Sequence, residues 1–272
     1  MKIKKIFIGL FLIFAVIAIN TNLTQAVEIK ENDGIYQVKI KLNKKMAKKL
    51  KCITVDDLMT NKEVHNKADA VLTVNGGFFD PKNKKTVSYV YTDSEISGDP
   101  LFNENLFRDP LLRKNMDKIL NRTEFRQLEC FDGYRWEITS HKSPIDFECQ
   151  LRTSIQAGPL IYPQLQLEEE FFILKDEEDK IIRESASVLH RVPRTILGLK
   201  GNKYLYFLIF TDNHPVTLEE ASQYCANLEL DRAMALDGGG STSLNYLNKI
   251  SVVSTPEKNQ GRALKSFIIL KK

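Results

Sequence analysis

An apolar tetrad, Ala233-Met234-Ala235-Leu236, runs directly into Asp237-Gly238-Gly239-Gly240-Ser241-Thr242-Ser243. The tetrad reads as a buried strand, so a carboxylate is delivered at a strand end. Three consecutive glycines are costly in chain entropy, and a plain turn uses one or two. The pattern therefore calls for a sheet whose strand-end loops bring bare backbone close to something else. Ser241 and Thr242 follow, placed to cap a helix or to hydrogen-bond a ligand. A carboxylate, bare amides and hydroxyls on one loop describe a polar binding site.

The rest of the chain supplies the sheet. Tyr36 to Leu42 alternates apolar and polar residues, as a half-buried strand does. Ala70 to Val74 is an apolar run that stops at Asn75-Gly76-Gly77-Phe78-Phe79-Asp80. Residues 154–161 carry another strand-end glycine in Gln156-Ala157-Gly158-Pro159-Leu160. Residues 194–199 and 204–210 read as strands, the second ending at Thr211-Asp212-Asn213. Thr217-Leu218-Glu219-Glu220 is a capping box that opens a helix to about Leu228. Residues 250–254 and 266–270 add two strands. Between Pro100 and Arg122 the spacing is helical, with Pro110 near a helix start; short strands follow around 125–131 and 135–139. The acidic stretches Glu168–Glu170 and Asp176–Asp179 read as solvated loop. This alternation predicts an α+β or mixed α/β fold: a mixed β-sheet core with packed helices, in one domain over residues 27–272. Residues 94–151 carry no assignable motif and read as an inserted subdomain.

Residues 1–26 have the form of an export signal. Lys2, Lys4 and Lys5 precede an apolar run, Ile6 to Ile19, and Thr24-Gln25-Ala26 is an imperfect small-x-small cleavage site. The run of about 14 residues is short of the roughly 20 that span a bilayer, which favours cleavage over an anchor. The predicted location is secreted or cell-envelope, with membrane contact only through an uncleaved signal. The three signal lysines account for three of the four net positive charges, so charge gives nucleic-acid binding no support. Cys52, Cys130, Cys149 and Cys225 allow three disulfide connectivities. Cys130 and Cys149, which flank a hairpin-like segment, are the favoured pair. Oligomeric state has no signature.

Taken in order, Asn75-Gly76-Gly77-Phe78-Phe79, Gln156-Ala157-Gly158-Pro159-Leu160, Pro193-Arg194-Thr195 with Gly198, the strand ending at Asp212, Asp237-Gly238-Gly239-Gly240-Ser241-Thr242, and Gly261-Arg262 resemble the phosphodiester glycosidase family. The resemblance runs from about Ala70 to the C-terminus and departs at Asn213, where the family often has glycine. It implies cleavage between a sugar's anomeric carbon and a phosphodiester oxygen, on a carbohydrate phosphodiester such as an N-acetylglucosamine-1-phosphodiester in an envelope polysaccharide. A phosphomonoester leaves more readily than a sugar alkoxide, so neutralising its charge matters more than protonating it. Arg194 and Arg262 are the expected guanidiniums for the phosphate, with the amides of Gly238, Gly239 and Gly240 as an anion-binding concavity. Asp237, and second to it Asp212, would stabilise the sugar cation or serve as nucleophile or base. Asn75 would orient a sugar hydroxyl or water. Gly76, Gly77 and Gly158 would let substrate approach, Phe78 or Phe79 would pack on a sugar face, and Ser241 and Thr242 would hydrogen-bond it.

Two other classes compete. A non-catalytic envelope glycan-binding module would keep affinity without turnover. A serine hydrolase using Ser241 or Ser243 lacks the Gly-x-Ser-x-Gly elbow. No cofactor is required by these residues. Asp237 or Asp212 could ligate a divalent cation, but no dense carboxylate cluster demands one.

Overall fold

The computed structural model describes residues 26–254 and 260–272; the export-signal segment lies outside them, apart from Ala26. Strand outweighs helix, 45% against 18%, and every strand pairing is antiparallel. The expected mixed sheet is thus replaced by three antiparallel sheets and a small hairpin, in a strand-dominated α+β fold.

The first sheet has six strands in the order Val27–Asn32, Ile35–Lys41, Tyr204–Phe210, Arg194–Lys200, Arg232–Ala235, Leu160–Tyr162. The second orders Ile250–Val253, Ser243–Tyr246, Ala70–Asn75, Leu264–Lys271, Leu50–Met59. The third orders Glu95–Gly98, Val90–Thr92, Cys149–Gln156, Thr123–Cys130, Gly133–Ser140.

Side-chain alternation explains why the central strands read as unbroken apolar runs. In Tyr204–Phe210, Leu205, Phe207 and Ile209 enter the core shared by the three sheets. Tyr206, Leu208 and Phe210 point the other way, into a second core. Leu218, Ala221 and Cys225 of the helix Leu218–Asn227 close that second core. A strand covered on both faces has no polar face to show. Thr217 and Glu220 form the reciprocal capping box at the helix start. On the far side of the second sheet, Val64 of the helix Asn61–Lys67 packs with Phe79, Phe267 and Ile269. Helices thus flank a stack of sheets.

Residues 94–151 are integral to this stack. Phe125, Trp136 and Ile138 share the main core with Val38, Leu72 and Ile268. The long helical stretch predicted over 100–122 is cut into the 3-10 turn Pro100–Phe102 and the helices Glu104–Arg108, Pro110–Lys114 and Met116–Ile119. Asn103 and Asp109 cap the first turns of the segments that follow them, and Pro110 removes a donor. Cys130 and Cys149 form a disulfide, joining neighbouring strands at a directly paired position. Cys52 and Cys225 are buried thiols. Among the described residues no helix is long and apolar enough to cross a membrane.

Candidate active site

Antiparallel register builds the site. Arg194–Lys200 pairs with Arg232–Ala235 so that Ile196 faces Ala235, and Leu236 N–H donates to the Thr195 carbonyl at 2.8 Å. The start of one strand therefore lies beside the end of the other, and Arg194 and Asp237 emerge at one sheet edge. The Asp237 peptide is then clamped from the second sheet. Its N–H donates to the Gly76 carbonyl at 3.0 Å, and its carbonyl accepts from Asn75 Nδ2 at 2.6 Å. Asn75 Oδ1 accepts from Thr195 Oγ1 at 2.7 Å and from the Ser243 N–H at 3.0 Å. One buried amide thus laces three distant segments together. Gly239, at φ +56°, turns the chain into the 3-10 turn Gly239–Ser241 while its N–H bonds the Pro193 carbonyl at 2.8 Å. Only glycine takes that left-handed position without strain.

The Asp237 carboxyl accepts from the Ser241 hydroxyl and the Gly238 amide and feels the Arg262 charge. Arg262 Nη1 donates to Ser241 Oγ at 3.2 Å, and its guanidinium lies 5.0 Å from the Phe79 ring centre. These groups favour the ionised form, yet desolvation outweighs them and pushes the Asp237 pKa up to about 6. At pH 7 the group is still mainly carboxylate.

Asp237 opens into a cavity of about 250 Å³, and among the described residues it is the only carboxylate in the lining. Arg122, Arg183 and Arg262 supply three guanidiniums, while Phe78, Phe79 and Phe172 supply aromatic walls. Arg122 Nε donates to the Glu170 carbonyl at 2.9 Å, and its guanidinium stacks 4.0 Å from the Phe172 ring centre. Arg183 Nη1 donates to the Phe171 carbonyl at 2.9 Å. Burial lowers the pKa of Arg122 to about 10, Glu170 opposes that shift, and the like charge of Arg183 adds to it. Burial also lowers Arg183. Three cations held around one carboxylate favour an anionic guest.

The structure redistributes the roles read from sequence. Asp237, Arg262 and Phe78 meet at the cavity, and Phe79 both lines it and belongs to the outer core. Asn75 is wholly buried with protein partners, so it positions Asp237 rather than meeting substrate. Arg194 is buried, and its guanidinium donates to the carbonyls of Ser187 and His190 at 2.7 Å each and of Val216 at 3.4 Å. It pins the loop before its own strand, and it lies outside the cavity lining. Asp212 is exposed and two strands from Asp237 in the sheet, roughly 10 Å at the usual strand spacing. It too lies outside the lining.

Three of the glycines are packed closely against protein atoms. A Cβ on Gly76 would meet Ser266 at 2.6 Å, and one on Gly77 the Gln156 carbonyl at 2.4 Å. A Cβ on Gly158 would meet Glu170 Oε2 at 2.1 Å. Glu170, expected in a solvated loop, is buried and accepts from the Thr123 N–H, the Thr123 hydroxyl and the Leu160 N–H at 2.7–2.9 Å. Gly238, Gly239, Gly240, Ser241 and Thr242 shape the loop behind Asp237 without lining the cavity. Thr242 is buried, and its hydroxyl finds no partner among the described residues. Among the described residues no histidine lines the cavity. Among the described residues no group of three or more His, Cys, Asp or Glu side chains could hold a metal ion.

Sequence reasoning missed Arg122, Arg183 and Phe172. No spacing links them: they sit on a strand start, a hairpin strand and a loop that meet only in space. A cation beside a strand, such as Arg122 before Thr123–Cys130, reads equally well as a solvated side chain.

Comparison with known proteins bears on family and fold. The family model for phosphodiester glycosidase matches residues 68–271. The zebrafish N-acetylglucosamine-1-phosphodiester alpha-N-acetylglucosaminidase catalytic domain, auto-inhibited by its pro-peptide, superposes with a TM-score of 0.62 at 12% identity, over 90% of this chain and 81% of that one. A hypothetical protein from Synechocystis superposes with a TM-score of 0.56 at 13% identity, over 89% of this chain and 61% of that one. At these identities the likenesses speak to fold. Searched against curated proteins, the sequence finds no significant match. With its fold, its ordered glycine motifs and three quarters of its length matched, this chain belongs to the phosphodiester glycosidase family.

Proposed function

We propose that this protein hydrolyses the bond between the anomeric carbon of a sugar and an oxygen of a phosphodiester, releasing the sugar and a phosphomonoester. The observation that carries this reading is one partly desolvated carboxylate, Asp237, in a cavity with three guanidiniums. Glycosidases that expel an alkoxide use two carboxyl groups, one of them to protonate the leaving oxygen. A phosphate leaving group needs charge neutralisation instead, which Arg262 can supply directly, while Arg122 and Arg183, tied to the carbonyls of Glu170 and Phe171, add positive potential from the wall. The C1–O bond breaks with its electron pair on the phosphate oxygen. Asp237 faces the cation left on the sugar, as nucleophile or as base for water. Water supplies the hydroxyl at C1 and its proton leaves through Asp237 or the phosphate. Phe78, part-exposed and backed by the buried Phe172 ring 5.6 Å away, offers a face for the sugar ring. Asn75, Ser241 and Arg194 act behind these groups, fixing the loop and the carboxylate.

Export belongs to the same proposal: residues 1–26 read as a signal, and the Cys130–Cys149 disulfide fits an oxidising compartment. The test is to incubate protein comprising residues 27–272 with an N-acetylglucosamine-1-phosphodiester and follow free sugar, with and without a chelator. Release that Asp237→Asn abolishes supports the reading. Binding of the diester without release would identify a glycan-binding module instead.

A further inference from the structure

The helix Asn61–Lys67 covers the second sheet with a face that is only partly apolar. Val64 enters the outer core, but Asn61 and His65, one turn apart, are buried as well, at 3% and 1% exposure. His65 Nδ1 meets Thr73 Oγ1 at 2.9 Å. Asn61 Nδ2 donates to the Thr73 carbonyl and to Ser243 Oγ, each at 3.2 Å, while its Oδ1 has no donor among the described residues. An apolar side chain would leave no such orphan, so stability alone does not favour this amide.

Chemistry fixes the direction of these bonds. A backbone carbonyl only accepts, so the Thr73 carbonyl turns Nδ2 rather than Oδ1 toward Ser243. The Ser243 hydroxyl accepts from that amide, which leaves its one proton for the Ser241 carbonyl at 3.2 Å. The Ser241 hydroxyl in turn accepts from Arg262 Nη1 and gives its proton to the Asp237 carboxyl. Ser243 is thus held twice, by Asn75 at its N–H and by Asn61 at its hydroxyl. Asn75 fixes the Asp237 peptide, and Asn61 reaches the turn that carries a donor to the Asp237 carboxyl.

Resting on the glycosidase reading above, we infer that Asn61 is a positioning residue for the reaction: through the Ser243 hydroxyl it holds the Ser241 turn so that the Ser241 hydroxyl faces the Asp237 carboxylate. Asn61 touches no substrate, since it is buried between helix and sheet and lies outside the cavity lining. Without it the Ser243 hydroxyl is free to rotate, the Ser241 carbonyl loses its donor, and the bond to Asp237 loosens.

The test follows sugar release from the methyl diester of N-acetylglucosamine-1-phosphate across pH, by protein comprising residues 27–272. Asn61→Leu is close in volume, and its Tm should stay within about 5 °C of wild type because the orphaned oxygen leaves with the amide. Its kcat should fall about tenfold or more. The Ser241 bond favours the ionised carboxyl, so the acidic limb of the kcat/KM profile should move up from near pH 6 by about half a pH unit or more. Ser243→Ala, which keeps the N–H to Asn75, should reproduce both changes. The double variant should be no slower than the slower single, since either substitution cuts the same chain. An unchanged kcat or an unmoved limb in Asn61→Leu, or losses that add in the double variant, overturn the inference and leave the glycosidase reading standing. If Asn61→Leu loses more Tm than expected, Ser243→Ala decides on the same two readouts. No sugar release by the wild-type protein overturns both readings.

Discussion

Asp237→Asn separates catalysis from stability with opposite signs. Burial raises the folded-state pKa of Asp237 from 3.8 to about 6, so the folded protein holds this proton more tightly than the unfolded chain does. Below about pH 4 both states are protonated, and the site costs nothing. Between pH 4 and 6 the unfolded chain releases the proton first, and wild-type stability falls as pH rises. Above pH 6 the loss is complete. Integrating the linkage gives a ceiling of about 1 kcal/mol at pH 4.5 and about 3 kcal/mol at pH 7.5. Asp237 is partly open to the cavity, and solvent screening trims the upper figure to about 1–3 kcal/mol. Asparagine carries no charge to desolvate and can still accept from Ser241. The variant should therefore be more stable than wild type at pH 7.5, by roughly 2–12 °C in Tm. At pH 4.5 the advantage should shrink to a third or less. Thermal melts of both proteins at the two pH values isolate the site, because other titrations cancel in the difference. Sugar release should drop at least a thousandfold, and the wild-type kcat/KM profile should show an acidic limb near pH 6. A variant less stable than wild type at both pH values would refute the burial argument, and retained turnover would refute the role of the carboxylate.

Arg262→Lys keeps the charge but loses the planar fork; it should raise KM for the phosphodiester tenfold or more while circular dichroism stays unchanged. Asn75→Ala leaves the Ser243 N–H buried without its acceptor and frees the Asp237 carbonyl. It should cost about 3 kcal/mol, read as a fall of roughly 6–12 °C in Tm, with activity lost as the loop loosens. Gly158→Ala places a methyl against Glu170 and within 3.3 Å of lining residue Phe172, at a left-handed φ of +83°. It should destabilise by about 3 kcal/mol or more, seen in urea melts. Intact-mass analysis of protein exported by a bacterial host should show loss of about 26 residues, and a full-length mass would refute the signal reading.

Much of the scaffold was legible because local chemistry and burial agree. Thr217-Leu218-Glu219-Glu220 became the capped helix Leu218–Asn227, and the apolar run at 204–210 became a strand buried on both faces. Gly76, Gly77 and Gly158 mark close approach, and the neighbours they admit are Ser266, Gln156 and Glu170. A sequence shows that a Cβ is missing, not which neighbour its absence admits. The two arginines missed show the same limit: Arg122 and Arg183 are 61 residues apart and come together because both guanidiniums donate to the Phe171 carbonyl.

The sequence by itself determined the local imperatives: a carboxylate at the end of a buried strand, a glycine turn after it, an ordered set of motifs that names the family. Those follow from propensity, periodicity and backbone freedom, which act over a few residues. The tertiary structure alone decided the division of labour among the polar groups. Strand register placed Arg194 where backbone carbonyls consume its guanidinium, turned Asn75 into a clamp, and left Asp212 two strands away. Charge acts through space, so which cations share a cavity with Asp237 is set by packing: Arg262 from beside the last strand, and Arg122 and Arg183 from segments that no spacing connects.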